Sequence, residues 1–136
     1  MPFEWKYTHD GAGVVMTAKD TISADDIFQF LTEVFSPDDD LPRKRFILCD
    51  YSHSTDSSIT FEEVRLIAKN TNEYSKTNPE IVVASSAPEP LLFGLTRIWE
   101  VMVEGSTWTT FVTQSLSEAL DWIRNETGLD VSEQDL

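Results

Sequence analysis

Two polar stretches hold most of the side chains in this sequence that could do chemistry. Asp50-Tyr51-Ser52-His53-Ser54-Thr55-Asp56-Ser57-Ser58 combines carboxylates, an imidazole and hydroxyls, and Ser85-Ser86-Ala87-Pro88 adds two more hydroxyls. Each follows a short apolar run, Phe46-Ile47-Leu48-Cys49 or Ile81-Val82-Val83-Ala84, and each leads into a helical pattern. In an open α/β sheet, ligands bind beyond the carboxyl ends of the strands. A helix N-terminus there offers free N–H groups and the positive end of its dipole to an anion. Asp50, Tyr51, Ser52, His53, Ser85 and Ser86 therefore form the candidate ligand or anion pocket. Helix capping is the competing explanation, because Ser86 stands three residues before Glu89 in an S/T-x-x-E capping box.

Other chemistries find less in the sequence. No G-x-S-x-G elbow is present, and Gly11-x-Gly13 lies in a hairpin turn instead of ahead of a helix, so it does not make a dinucleotide loop. Cys49 ends an apolar run, which suits a buried, inert thiol better than a nucleophile. A metal would have to draw on His9, His53, Cys49 and loop carboxylates, without H-x-x-x-H or C-x-x-C spacing. Neither a metal nor another cofactor is expected, and no catalytic residue is assigned. Asp25-Asp26 and Glu62-Glu63 fall in first helical turns, where the dipole accounts for them.

The elements that must position the pocket follow from periodicity. Phe3-Glu4-Trp5-Lys6-Tyr7 alternates as a half-buried strand, Asp10-Gly11-Ala12-Gly13 supplies a turn, and Val14 to Ala18 returns. Ser23 caps a helix with Ile27, Phe30, Leu31 and Val34 on one face, ending at Ser36-Pro37. Asp38-Asp39-Asp40 beside Arg43-Lys44-Arg45 reads as a solvated loop. The run from Phe46 lacks alternation, as a strand covered on both faces does. Thr60 and Glu63 form a capping box for a helix to about Tyr74, with Val64, Ile67, Ala68 and Thr71 inward. A second buried strand follows at Ile81, and then the most apolar helix, ending at Gly105. Its predicted inward stripe is Leu91, Leu92, Leu95, Ile98, Trp99, Met102 and Val103. Trp108 to Val112 makes the last strand, and Ser115 caps a final helix with Leu116, Ala119, Leu120 and Ile123 inward.

The order is β-β-α-β-α-β-α-β-α. It predicts an α/β fold with a five-stranded, mostly parallel sheet, an antiparallel edge strand and four helices. With 136 residues the chain has room for one domain, placed at 1–125, with an acidic and frayed tail over 126–136. A formal net charge of −14 argues against a nucleic-acid binder and against docking on anionic lipid. No apolar run approaches the roughly 20 residues that span a bilayer, so stable membrane insertion is not expected. The first residues lack the apolar region of a signal peptide, and the single cysteine suits a reducing compartment; cytoplasmic localisation is the expectation.

Two stretches, Leu92-Phe93-Gly94-Leu95-Thr96-Arg97-Ile98-Trp99-Glu100 and Phe111-Val112-Thr113-Gln114-Ser115-Leu116-Ser117-Glu118-Ala119-Leu120-Asp121-Trp122, carry a family likeness. With this order of elements the chain resembles the small bacterial SpoIIAA-like proteins, related to STAS and SEC14 domains. The resemblance implies the fold more than a function. In STAS domains of the anti-anti-sigma type a serine of an Asp-Ser-Ser stretch is phosphorylated; Asp56-Ser57-Ser58 corresponds to it, making Ser57 and Ser58 candidate phosphoacceptors. Ile59-Thr60-Phe61 stand where that type carries glycine and a short apolar residue.

The leading expectation is a non-enzymatic regulatory or protein-interaction domain, dimeric or bound to another protein. Phe93, Arg97 and Glu100, set off the inward stripe of the third helix, are its candidate interaction face. Trp5, Tyr7 and Trp122 add aromatic surface. Gly94 inside that helix costs about 1 kcal/mol relative to Ala, for which a close backbone approach is the expected reason. The alternative is a carrier of a small apolar or amphipathic ligand, as in SEC14-related domains, which needs a cavity of roughly 300 Å³ or more. A third reading is an enzyme with its pocket at the strand-end loops around His53.

Overall fold

The unbroken apolar run at Phe46 and its neighbour after Ile81 become the central strands of a sheet whose two faces are both covered, as their lack of alternation requires. The structure, a computed structural model, describes residues 3–36 and 44–136. The Asp38-Asp39-Asp40 loop, Pro37 and Arg43 lie outside the described residues.

Strands β1 (Phe3–Thr8) and β2 (Gly13–Ile22) form the opening hairpin, joined by a 3-10 turn at His9–Gly11. Helix α1 (Ala24–Val34) leads to β3 (Phe46–Ser57), α2 (Phe61–Thr77) to β4 (Val82–Ser86), and α3 (Pro90–Met102) to β5 (Thr109–Thr113). Helix α4 (Leu116–Thr127) and a 3-10 turn at Glu133–Asp135 complete the chain. The sheet order is β1-β2-β3-β4-β5, with β1 antiparallel to β2 and every other pair parallel. The α/β architecture with one antiparallel edge strand and four helices is as the sequence predicts.

The predicted caps hold at three helices. Ser23 and Thr60 make reciprocal capping boxes with Asp26 and Glu63, and Ser115 accepts from the Glu118 amide. Gly128, at φ 73°, closes α4 in the left-handed region that an L side chain disfavours.

Strand parity sorts the core into two layers. One face carries Val14, Met16, Ile47, Cys49, Tyr51 and Val83 against α1, α2 and α3. The other carries Val15, Phe46, Leu48 and Ala84 against α4 and Val131. The acidic stretch expected to fray is instead held on this second face. Val131 is fully buried, Lys6 Nζ donates to the Leu136 carbonyl at 3.0 Å, and Arg45 binds the Thr127 carbonyl at 2.9 Å. Glu126, Asp130 and Glu133 face water while three apolar side chains, Leu129, Val131 and Leu136, pack on the cluster that holds Ile123. Charge counting saw only the acids.

Three further expectations are corrected. The polar stretch after Cys49 is strand through Ser57, because β2, with 10 residues to the 12 of β3, is nearly as long and its Lys19–Ile22 segment pairs with His53–Ser57. This ribbon runs on past the last β3–β4 pair, Asp50 with Ser86. Second, Ser86 does not cap α3. It is the last residue of β4, and Glu89, followed by Pro90, takes the cap by accepting from the Leu92 amide at 2.7 Å. Third, α3 is rotated from its predicted phase. Leu91 faces solvent, Phe93 packs on the core, and nothing comes within 4 Å of a Cβ placed on Gly94.

Candidate functional site

The pairing of β3 with β4 sets Cys49 opposite Ser85 and Asp50 opposite Ser86. Successive side chains alternate faces, so the predicted pocket residues divide between the two sides of the sheet. Tyr51 and Ser85, with Cys49, point towards α1–α3. Asp50 and Ser86 point towards α4. Ser52 is half-buried and its amide donates to Asp50 Oδ1 at 2.9 Å. His53 is exposed on the β2–β3 ribbon, opposite Lys19. The strands follow one another across the sheet without reversal, so the two strand ends lie side by side with no crevice between oppositely wound halves.

On the α1–α3 side, Tyr51, Ser85 and Cys49 reach a cavity of about 80 Å³. Its floor is β2, β3 and β4, through Met16, Ile47, Cys49, Tyr51, Val83 and Ser85. Its walls and roof come from α1, α2 and α3, with Trp99 and Trp108 at one side. The polar atoms of the roof are occupied: Trp99 Nε1 donates to Thr71 Oγ1 at 3.1 Å, Thr71 Oγ1 donates to the Ile67 carbonyl, and Thr96 Oγ1 to that of Leu92. Trp108 Nε1 is turned to the Asn78 carbonyl at 2.7 Å. On the floor the hydroxyls of Ser85 and Tyr51 lie beside the Cys49 sulfur. Burial pushes the Cys49 thiol up to about 12; the two hydroxyls oppose the shift and the Asp50 carboxylate adds to it. Burial, reinforced by Cys49, also holds the Tyr51 phenol well above its ordinary value. Cys49 is therefore buried, as its place in the sequence predicts, and held as the thiol at neutral pH. Sequence reasoning set Cys49 aside as core. Its parity with Tyr51 and its position beside Ser85 are the signals that place it in this cluster.

The α4 side is polar at the same level but closed. Asp50 is buried beside Ser86, whose Oγ has no partner, and Thr113, next in register, donates to Glu118 Oε2 at 2.7 Å. Among the described residues no three His, Cys, Asp or Glu side chains converge as metal ligands.

The candidate phosphoacceptors sit at the far end of the ribbon. Ser57 Oγ accepts from the Ile59 amide at 3.1 Å; Ser58 is exposed, with its amide on the Ile22 carbonyl. Thr60, not either serine, caps α2. Of the predicted interaction face, Arg97 is exposed and pairs with Glu100 at 2.8 Å, while Phe93 is half-buried against the core. The aromatics expected at the surface are largely absorbed: Trp122 stacks on Phe111, and Trp5 meets Tyr7 and Phe30 edge-on. Among the described residues the exposed large apolar side chains are instead Phe61 (49%) and Leu66 (53%) on α2 with Leu91 (53%) and Val101 (63%) on α3. Although α3 is the most apolar helix, Leu92 is its one fully buried residue.

No helix among the described residues is long and apolar enough to cross a membrane. No family model and no curated protein matches the sequence. Among solved structures the chain is similar to an uncharacterised protein of the DUF3478 family with a SpoIIAA-like fold from Shewanella loihica. The two share 16% identity, the match covers 89% of this chain and 91% of that one, and the TM-score is 0.48.

Proposed function

We propose that this domain is a non-enzymatic interaction module whose contact surface is the outer face of α2 and α3. The observation that carries this reading is the exposure of Leu91 and Val101 on a helix with a single fully buried residue. Leu91, Ile98 and Met102, spaced along one helical face, are covered at most in part. The adjacent α2 adds Phe61 and Leu66. An apolar patch of this kind, rimmed by charge, is the signature of a protein contact. The occupant is a different protein with basic residues around an apolar centre. A net charge of −14 makes a second copy electrostatically unfavourable and a cationic partner favourable.

The test uses the full chain and a Leu91→Glu, Val101→Glu variant. Light scattering should give a monomer for both, and thermal melting should show both folded, since neither side chain is buried. Proteins retained by the wild type from its native host at low salt should be lost on the variant and weakened by added salt. Equal retention by the two would overturn the reading. A wild-type dimer dissolved by the substitutions would instead make the second copy the occupant.

A further inference from the structure

The cavity behind α2 and α3 is a different feature from their outer face, and its lining is specific enough to name a ligand chemistry. Its residues are apolar apart from Thr71 and Thr96, which are bonded within the roof, and the Cys49–Tyr51–Ser85 cluster on the floor. No charged side chain among the described residues lines it. A charged ligand would thus leave its charge unpaired in an apolar site, which is strongly unfavourable. A pure hydrocarbon would offer the two hydroxyls nothing beyond the neighbouring Cys49 sulfur, a weak acceptor. A neutral hydroxyl suits the floor, because it can both donate to and accept from the Tyr51 and Ser85 oxygens. The upward displacement of both the Cys49 and Tyr51 acidities points the same way, towards a site that favours uncharged groups. The volume of about 80 Å³ sets the size. It is far below the roughly 300 Å³ of a drug-sized pocket. It is also about half of the ~150 Å³ apolar cavity that takes benzene.

We propose that this cavity is a binding site for a small neutral alcohol. The hydroxyl meets Tyr51 and Ser85 on the floor, and the short hydrocarbon part lies against Ile47, Val83, Leu92 and Trp99. A lipid-sized ligand does not fit the site at this volume. The site stands independently of the proposed contact on the outer face, and its test does not require a protein partner.

The experiment is a titration of the full chain with ethanol, followed by NMR of the isoleucine, leucine and valine methyl groups, with acetate and xenon as comparison ligands. Saturable shifts confined to methyls of the lining, such as Ile47, Ile67, Val83 and Leu92, are expected with ethanol. Acetate should bind at least about tenfold more weakly at neutral pH. A Tyr51→Phe, Ser85→Ala variant deletes two oxygens without adding bulk. It should bind ethanol about threefold to tenfold more weakly while keeping its response to xenon. Val83→Ile, which adds a methyl group to the same space, should weaken both. Xenon entry without saturable ethanol binding would reduce the cavity to a packing void and overturn the proposal. So would equal ethanol affinity in the wild type and the Tyr51→Phe, Ser85→Ala variant.

Discussion

The two faces of the sheet are built from the same strands yet are packed differently. On the α4 face, Val15, Phe46, Leu48 and Ala84 meet Ala119, Leu120, Ile123 and Val131, side chains small or regular enough to close the layer. On the other face three helices converge over three strands with larger and less regular partners, Phe30, Trp99 and Trp108 among them, and a cavity remains. At ~24 cal/mol per Å³ a void of this size costs about 2 kcal/mol. One helix over one face can settle to its best depth. Three helices that also pack on one another cannot all do so, and α3, docked against both α2 and β5, is the one left shallow.

The sharpest way to break this comparison is to add the same methylene to each face. Val15→Ile, on the α4 face, should destabilise the protein by about 1–3 kcal/mol through overpacking. Val83→Ile, on the cavity side, should stabilise it by up to about 0.8 kcal/mol by filling empty space. Urea unfolding of both variants gives the two signs directly. Losses of equal size would mean that the cavity side is as tightly packed as its opposite.

A second difference between the faces is chemical. In the unfolded chain Cys49 loses its proton near pH 9, whereas in the folded protein it keeps it to about 12. Below pH 9 both states are protonated and the thiol contributes no pH dependence. Between those values the folded state holds the extra proton, so stability falls as pH rises, with a limiting slope of ~1.4 kcal/mol per pH unit. Tyr51, also shifted upward, adds to the fall above about pH 10, near its ordinary value. Cys49→Ala should remove the part of the fall that begins near pH 9 and leave the part due to Tyr51. Denaturant unfolding of both proteins between pH 8 and about 10.5 measures this. An unchanged slope in the variant would show that Cys49 ionises as freely when folded as when unfolded.

These differences explain what was legible in the sequence. Strand order, capping by Ser23, Thr60 and Ser115, and the two covered strands all depend on neighbours a few residues apart, and local rules suffice for them. The Asp50–Ser58 stretch looks like a loop in sequence because its backbone partners are on β2, more than thirty residues away, and a paired strand exposed to water carries loop-like side chains. The pocket residues were read as one set. Parity along β3 and β4 divides them, so that Tyr51 and Ser85 reach the cavity while Asp50 and Ser86 lie beneath α4. The cavity itself is a remainder left by the packing of three helices, and no residue pattern announces it. The phase of α3 failed for a related reason. A helix apolar on nearly every side has no sequence-encoded inner face, and its rotation is decided by α2 and β5.

Gly94 tests that last point at the smallest scale. A Cβ there would meet nothing within 4 Å, and its backbone is helical, so nothing in the free domain requires glycine. Gly94→Ala should stabilise the protein by about 0.5–1 kcal/mol, through the unfolded chain's lost freedom and alanine's helix propensity. If the outer face of α3 receives a partner, the bare position is where another backbone can come closest, beside Arg97 and one turn from Leu91. The same substitution should then weaken partner retention even as the melting temperature rises. Stabilisation and binding moving in opposite directions is an outcome that a purely structural role for this glycine cannot produce. A loss of stability in Gly94→Ala would mean that α3 lies against the rest of the molecule at this position after all, and the contrast between a closed face and an open one would fail there.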